Sequence, residues 1–164
     1  MTGLIATVFG VGRIGFAPGT FGSAVAVLLA WGLHGLGGFP LLLAATVVVI
    51  PLGWWAVREE TRGAENDDPS EIVIDEVAGQ WIALFPLSAG LWFAGAPAWL
   101  FPYPGWIGAF LLFRLFDIWK PGPVGWADRK GGPWGVMVDD LIAGAMAAVV
   151  VALAAAIAHA GMGA

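Results

Sequence analysis

Two acidic pairs, Asp75-Glu76 and Asp139-Asp140, are the residues of this sequence best equipped for chemistry. Their settings match: in IVIDEVAG and VMVDDLIAG an apolar run leads into the pair, and a glycine follows three or four positions later. Each pair is expected to open a helix. An aspartate at a helix start caps free N–H groups and complements the helix dipole, and one per helix is enough for that. A second adjacent carboxylate is not needed for capping, and two such pairs near a bilayer repel one another. Ionisable groups in such a place are functional by default, and oxygen-rich clusters are what Mg²⁺ takes as ligands.

Further charged residues lie nearby in sequence. Asp117, in FRLFDIWKP, stands one helical turn from Arg114, and Lys120 follows at the helix end before Pro121. Arg114 and Asp117 share a helix face, either as an ion pair that neutralises itself or as a metal carboxylate beside phosphate-binding cations. The stretch KPGPVGWADRKGGPWG (120–135) holds five Gly and three Pro with Asp128, Arg129 and Lys130. It reads as a solvated turn or as a loop whose backbone N–H groups and cations meet a phosphate. APGTFGS (17–23) offers Thr20 or Ser23 as a helix cap, or a small-residue turn at a helix N-terminus where an anion fits. GVGRIG (10–15) has glycines without the βαβ setting of a dinucleotide fingerprint. His34 and His159 fall at the opposite ends of their elements from the acidic pairs, so neither serves as nucleophile or base with them.

These residues must be positioned by a very apolar chain. Of 164 residues 59% are hydrophobic and 12% charged, with ten Trp and a mean hydropathy of +0.84. A soluble domain carries about a quarter charged residues, so the deficit points to a membrane protein of one domain over 1–164. The alternative is a soluble helical domain with an unusually large core. No cysteine is present, which removes disulfides and thiolate chemistry. A net charge of −5 argues against nucleic acid as a partner. No cleavable signal is expected, because MTGLIATVFGVGR has no positive region ahead of an apolar core.

Residues 14–57 and 77–113 carry no Asp, Glu, Lys or Arg. A span needs about 20 apolar residues, so the expected fold is all-α, with about five membrane-spanning or membrane-embedded helices near 20–36, 39–57, 76–94, 104–119 and 139–160. Turns at 34–40 and 95–106 then lie on one side. All seven Lys and Arg lie on the other, which the positive-inside rule makes cytoplasmic. The run Ala143-Gly144-Ala145 permits a close helix contact with an unspecified partner.

PGTFGS (18–23), DPSEIVIDEVAG (68–79), LFRLFDIWKPGP (112–123), ADR (127–129) and GVMVDDLIAG (135–144), in this order, resemble the phosphatidylglycerophosphatase A family. The resemblance covers most of the chain, and the combination is more specific than any one piece. It implies an Mg²⁺-dependent phosphatase of the bacterial inner membrane that removes the terminal phosphate of phosphatidylglycerophosphate, a phospholipid held in the bilayer, to leave phosphatidylglycerol. Residue by residue, it implies Asp75, Glu76, Asp117, Asp139 and Asp140 as metal ligands and catalytic groups, with Asp128 a further catalytic candidate. Arg114, Lys120, Arg129, Thr20 and Ser23 are implied as phosphate-binding. Metal-assisted attack by water and a covalent aspartyl-phosphate are both compatible with these residues. A cation transporter would place its carboxylates near mid-bilayer rather than at helix ends, and the spaced Asp-Gly-Ala-Arg signature of a CDP-alcohol transferase is missing. Another lipid-phosphate phosphatase is the nearest rival.

Overall fold

The computed structural model describes residues 1–64 and 69–162; Glu65, Asp67 and Asp68 of the charged segments, and with them the first residue of DPSEIVIDEVAG, lie outside these residues. Among the described residues the fold is all helical. It comprises α1 (Thr2–Ala6), a 3₁₀ turn (Val11–Arg13), α2 (Pro18–Glu60), α3 (Ile74–Ala83), α4 (Phe85–Phe93), α5 (Tyr103–Trp119), α6 (Pro123–Asp128) and α7 (Gly132–Met162).

Proline and glycine set most of the boundaries. Pro18 begins α2 at a position where its missing N–H costs nothing. At about 1.5 Å per residue a straight α2 would be far longer than a bilayer is thick, but Gly37 and Gly38 leave helical geometry (φ −154° and +64°) and divide it into two runs. These runs match the first two expected helices. The expected 76–94 helix is broken at Leu84, just ahead of Pro86, into α3 and α4. α5 opens at Pro102–Pro104 and stops at Lys120, whose left-handed backbone (φ +50°) precedes Pro121.

Two expectations change here. The 120–135 stretch is not a continuous loop, because Pro123–Asp128 forms α6. The last helix begins at Gly132, so Asp139-Asp140 sits about two turns inside α7 rather than at its start. Capping therefore does not account for that pair. Two helices, Pro18–Glu60 and Gly132–Gly161, are long and apolar enough to cross a membrane, whereas α3, α4 and α5 fall short of that length; the number of about five crossings is not reached by this measure. In each of the two long helices only 17% of the most apolar window is buried. A soluble core helix would be mostly buried, so these faces suggest membrane association. Leu28, Val47, Val48, Val149, Leu153 and Ile157 are among the exposed apolar side chains.

The packing around α3 fixes the site. The Trp81 indole donates to the Ala26 carbonyl at 2.9 Å, tying α3 to the first run of α2. Gly79 and Gly144 lie backbone to backbone: a Cβ on Gly144 would meet the Gly79 carbonyl oxygen at 2.2 Å, and one on Gly79 would meet the Asp140 carbonyl oxygen at 2.6 Å. This glycine contact brings α3 and α7 together one turn past their acidic pairs. The 3₁₀ turn seals the same end, where a Cβ on Gly12 would strike the Glu71 carbonyl and Arg13 pairs with Glu71 at 3.4 Å. At the far end of the bundle His34 and Ser88 hydrogen-bond at 2.8 Å, and Trp31 meets Trp99 edge-on.

Candidate functional site

The two acidic pairs converge although they are far apart in sequence. Carboxylate oxygens of Asp75, Glu76 and Asp140 lie within 4.8 Å of one another, a spacing that could hold a metal ion. In both pairs the first aspartate accepts the backbone N–H of the second acid, Asp75 from Glu76 at 3.0 Å and Asp139 from Asp140 at 2.9 Å. That local bond fixes one carboxylate against its helix. Asp75, Asp139 and Asp140 are buried.

The cations divide the remaining carboxylates between them. Arg114 Nη1 lies 2.5 Å from Asp117 and 3.8 Å from Glu76. Lys120 donates to Asp139 at 2.9 Å and also to Asp128. Burial alone would lower the pKa of the Lys120 ammonium, but the hydrogen bonds it donates to Asp128 and Asp139 outweigh this and raise the pKa above the usual lysine value. Asp75, Glu76 and Asp140 form the close trio, with Arg114 at its edge beside Glu76. At an effective dielectric near 20, two carboxylates about 5 Å apart repel by roughly 3–4 kcal/mol, well above the ~0.3–1 kcal/mol a helix N-terminus returns. Buried Glu76 Oε2 has no hydrogen-bond partner. The donor set is all oxygen, as a hard divalent cation requires, so these residues fit Mg²⁺.

A cavity of about 300 Å³ opens onto this cluster, lined on its polar side by Asp75, Glu76, Arg114, Asp117, Lys120, Asp139 and Asp140. Pro18 and Gly19 form part of its wall. A Cβ on Gly19 would stand 2.2 Å from Glu76 Oε1 and 3.0 Å from Arg114 Nη1, so a side chain there would displace the Glu76 carboxylate and the Arg114 guanidinium from their present places.

Residues 4–155 match the family model for phosphatidylglycerophosphatase A. The chain belongs to the phosphatidylglycerophosphatase A family. It is 33% identical over 147 residues to the phosphatidylglycerophosphatase A of Escherichia coli strain K12, covering 88% of this chain and 78% of the relative. The Haemophilus influenzae phosphatidylglycerophosphatase A is 35% identical over 149 residues, covering 90% and 85%. A Bacteroides thetaiotaomicron protein, provisionally named phosphatidylinositol-3-phosphatase, is 36% identical over 158 residues, covering 92% and 91%. No solved structure matches the chain.

Seven of the sequence-derived site residues line the cavity, and four do not. Asp128 reaches the site only through Lys120. Arg129 is exposed on the turn after α6. The Ser23 hydroxyl is buried and donates to the Gly19 carbonyl within its own helix, and Thr20 sits on the first turn of α2 away from the lining. Gly19, Gly79 and Gly144 were missed as site-forming residues. The signal for the last two was the glycine repeated after each acidic pair.

Proposed function

We propose that the protein is a lipid phosphatase that hydrolyses the terminal phosphate of phosphatidylglycerophosphate to phosphatidylglycerol, with Mg²⁺ held by Asp75, Glu76 and Asp140, at the cytoplasmic face of a bacterial inner membrane. The observation that carries this reading is the convergence of two buried carboxylates, Asp75 and Asp140, and the partly buried Glu76 beside two cations in a cavity on an otherwise apolar helical bundle. Family membership supports the phosphomonoester chemistry, and two relatives' names support the headgroup.

When bound, Mg²⁺ supplies charge neutralisation at the phosphate and eases attack by water. The side chains do the rest. Arg114 and Lys120 face the cavity and offset negative charge on the phosphoryl oxygens, which grows mobile in a loose transition state. Asp117 and Asp139 hold these two cations in place. Water adds to phosphorus, the bond from phosphorus to the glycerol oxygen breaks, and that oxygen takes up a proton as inorganic phosphate leaves. The lipid stays in the bilayer while its phosphate reaches the interface. Exposed Trp119, Trp126 and Trp134 lie on the elements that carry the site, a distribution that suits the headgroup level. In this reading the two runs of α2, the α3–α4 pair, α5 and α7 each cross or enter the membrane.

The test is phosphate release by purified protein in detergent. Phosphatidylglycerophosphate, phosphatidic acid and phosphatidylinositol 3-phosphate would be supplied with Mg²⁺ or with EDTA, using wild type, Asp75→Asn and Asp139→Asn. Mg²⁺-dependent release favouring the first lipid, reduced at least ~100-fold in both variants, is expected. Equal release from all three lipids would remove the substrate assignment, and full activity in EDTA would remove the metal.

A further inference from the structure

A second cavity, of about 450 Å³ and lined only by apolar and aromatic side chains, lies between the first run of α2 and α5. Ala24, Val27, Leu28 and Trp31 form its α2 wall, and Trp106 and Phe110 its α5 wall. These spacings place each set on one face of its helix. The two helices run antiparallel, and the polar cavity occupies the other end of the same pair: Gly19 precedes Ala24 on α2, and Arg114 stands one turn beyond Phe110 on α5.

Size and polarity identify the occupant. A rise of ~1.5 Å per residue puts Trp31 roughly 18 Å along α2 from Gly19, close to the ~15 Å depth of one leaflet's hydrocarbon, half of the usual ~30 Å core. Leu28 is 65% exposed, so the groove opens sideways, where an acyl chain can enter without leaving the bilayer. Phe101 and Trp31 close its deep end, and the Trp31 indole is fixed by donating to the Trp99 carbonyl at 3.2 Å. At the shallow end stands Arg114, whose buried Nε has no hydrogen-bond partner. A molecule anionic at one end and apolar along the rest is complementary to this sequence of surfaces.

We propose that the α2–α5 groove holds one acyl chain of the phospholipid whose phosphate occupies the carboxylate-lined cavity, so that α2 and α5 measure the lipid along its length. This inference rests on the phosphatase reading, deepens it to a lipid-chain subsite, and makes Ala24 and Leu28 residues that set specificity for chain length.

Two experiments test it. In the first, kcat/KM is measured for dipalmitoyl and dihexanoyl phosphatidylglycerophosphate in mixed micelles. Ala24→Phe, which fills the groove from an exposed position, is expected to lower the long-chain to short-chain ratio about tenfold, mainly through KM. Leu153→Phe, on an exposed face of α7 outside the groove, should leave the ratio unchanged. An unchanged ratio in Ala24→Phe overturns the proposal.

The second experiment does not depend on turnover. Phosphatidylglycerophosphate with a diazirine in its acyl chain is photolysed with wild-type protein, and the labelled peptides are mapped. Label concentrated on 24–31 and 101–110, and displaced by excess unlabelled lipid, is expected. Label spread over every exposed helix face and indifferent to competitor identifies ordinary surrounding lipid. A groove that stays unlabelled in a protein shown by native mass spectrometry to be a dimer identifies a second copy of the chain. Either result overturns the acyl-chain assignment. Should wild type release no phosphate from either lipid, the phosphatase reading fails, and photolabelling alone decides the groove.

Discussion

Lys120 is the pivot of the site at the level of single residues. Its ammonium joins Asp128 on α6 to Asp139 on α7, and its left-handed backbone ends α5. Because its pKa is raised in the folded protein, folding favours the protonated form. The stabilisation is complete below the ordinary lysine value of about 10.4 and is lost only as pH rises through the higher folded value. Lys120 should therefore contribute no alkaline fall in activity between pH 7 and 10, whereas Lys120→Met should lower kcat/KM by about 100-fold across that whole range. Asp128→Asn removes one of two supporting carboxylates and should cost tenfold or less. A pH–rate profile of the three proteins checks both statements, and an alkaline limb below pH 10 that vanishes in Lys120→Met would contradict the first. The acidic residues were legible in the sequence because carboxylates in an apolar chain stand out individually. Their division of labour was legible only in part: the Arg114–Asp117 pair follows from i,i+3 spacing within α5, whereas the pairing of Lys120 with Asp128 and Asp139 depends on how the end of α5 meets α6 and α7.

Among the helices, the contact between Gly79 and Gly144 sets the distance between the two acidic pairs. Each glycine sits one turn past its pair, so the point of closest backbone approach and the carboxylate cluster are adjacent along both helices. The sequence carried this as a repeated pattern, and Ala143-Gly144-Ala145 was read as a contact without a partner; the partner is α3 of the same chain. Sequence reasoning also placed the break at 34–40 and the end of α5 correctly, since glycine and proline act locally. It put the start of α7 too late, because an acidic pair reads as a helix start; Asp139 instead lies in the helix interior, where Lys120 from the end of α5 pairs with it. Gly144→Val would drive side-chain carbon into the Gly79 backbone. The expected loss is about 1–3 kcal/mol or more, seen as a lower midpoint in thermal unfolding in detergent. Activity should fall further than stability, since the carboxylates are separated as well. Gly161→Val, at an open position near the end of α7, is the matched control.

For the whole molecule, charge and chain path agree on a single axis. The start and the end of α2, the start of α3, the end of α5 and α6 gather at the site end, with all seven Lys and Arg in or beside these segments. The Gly37–Gly38 break lies at the other end, against Trp92 and near Trp99. If the positive-inside rule governs this chain, the site end faces the cytoplasm. A sequence without cysteine makes that directly measurable. Ala64→Cys, at the site end, and Ala98→Cys, in the opposite turn, are both exposed positions, and both changes leave the charge distribution unaltered. In intact cells whose outer membrane has been made permeable, a maleimide that cannot cross the inner membrane should label Ala98→Cys at once. Ala64→Cys should become reactive only after the inner membrane is opened. The reverse pattern would put the carboxylate cluster outside. Labelling of both positions in intact cells would mean that the long apolar helices lie on the membrane rather than through it, and would leave the site's chemistry in place while removing its topology.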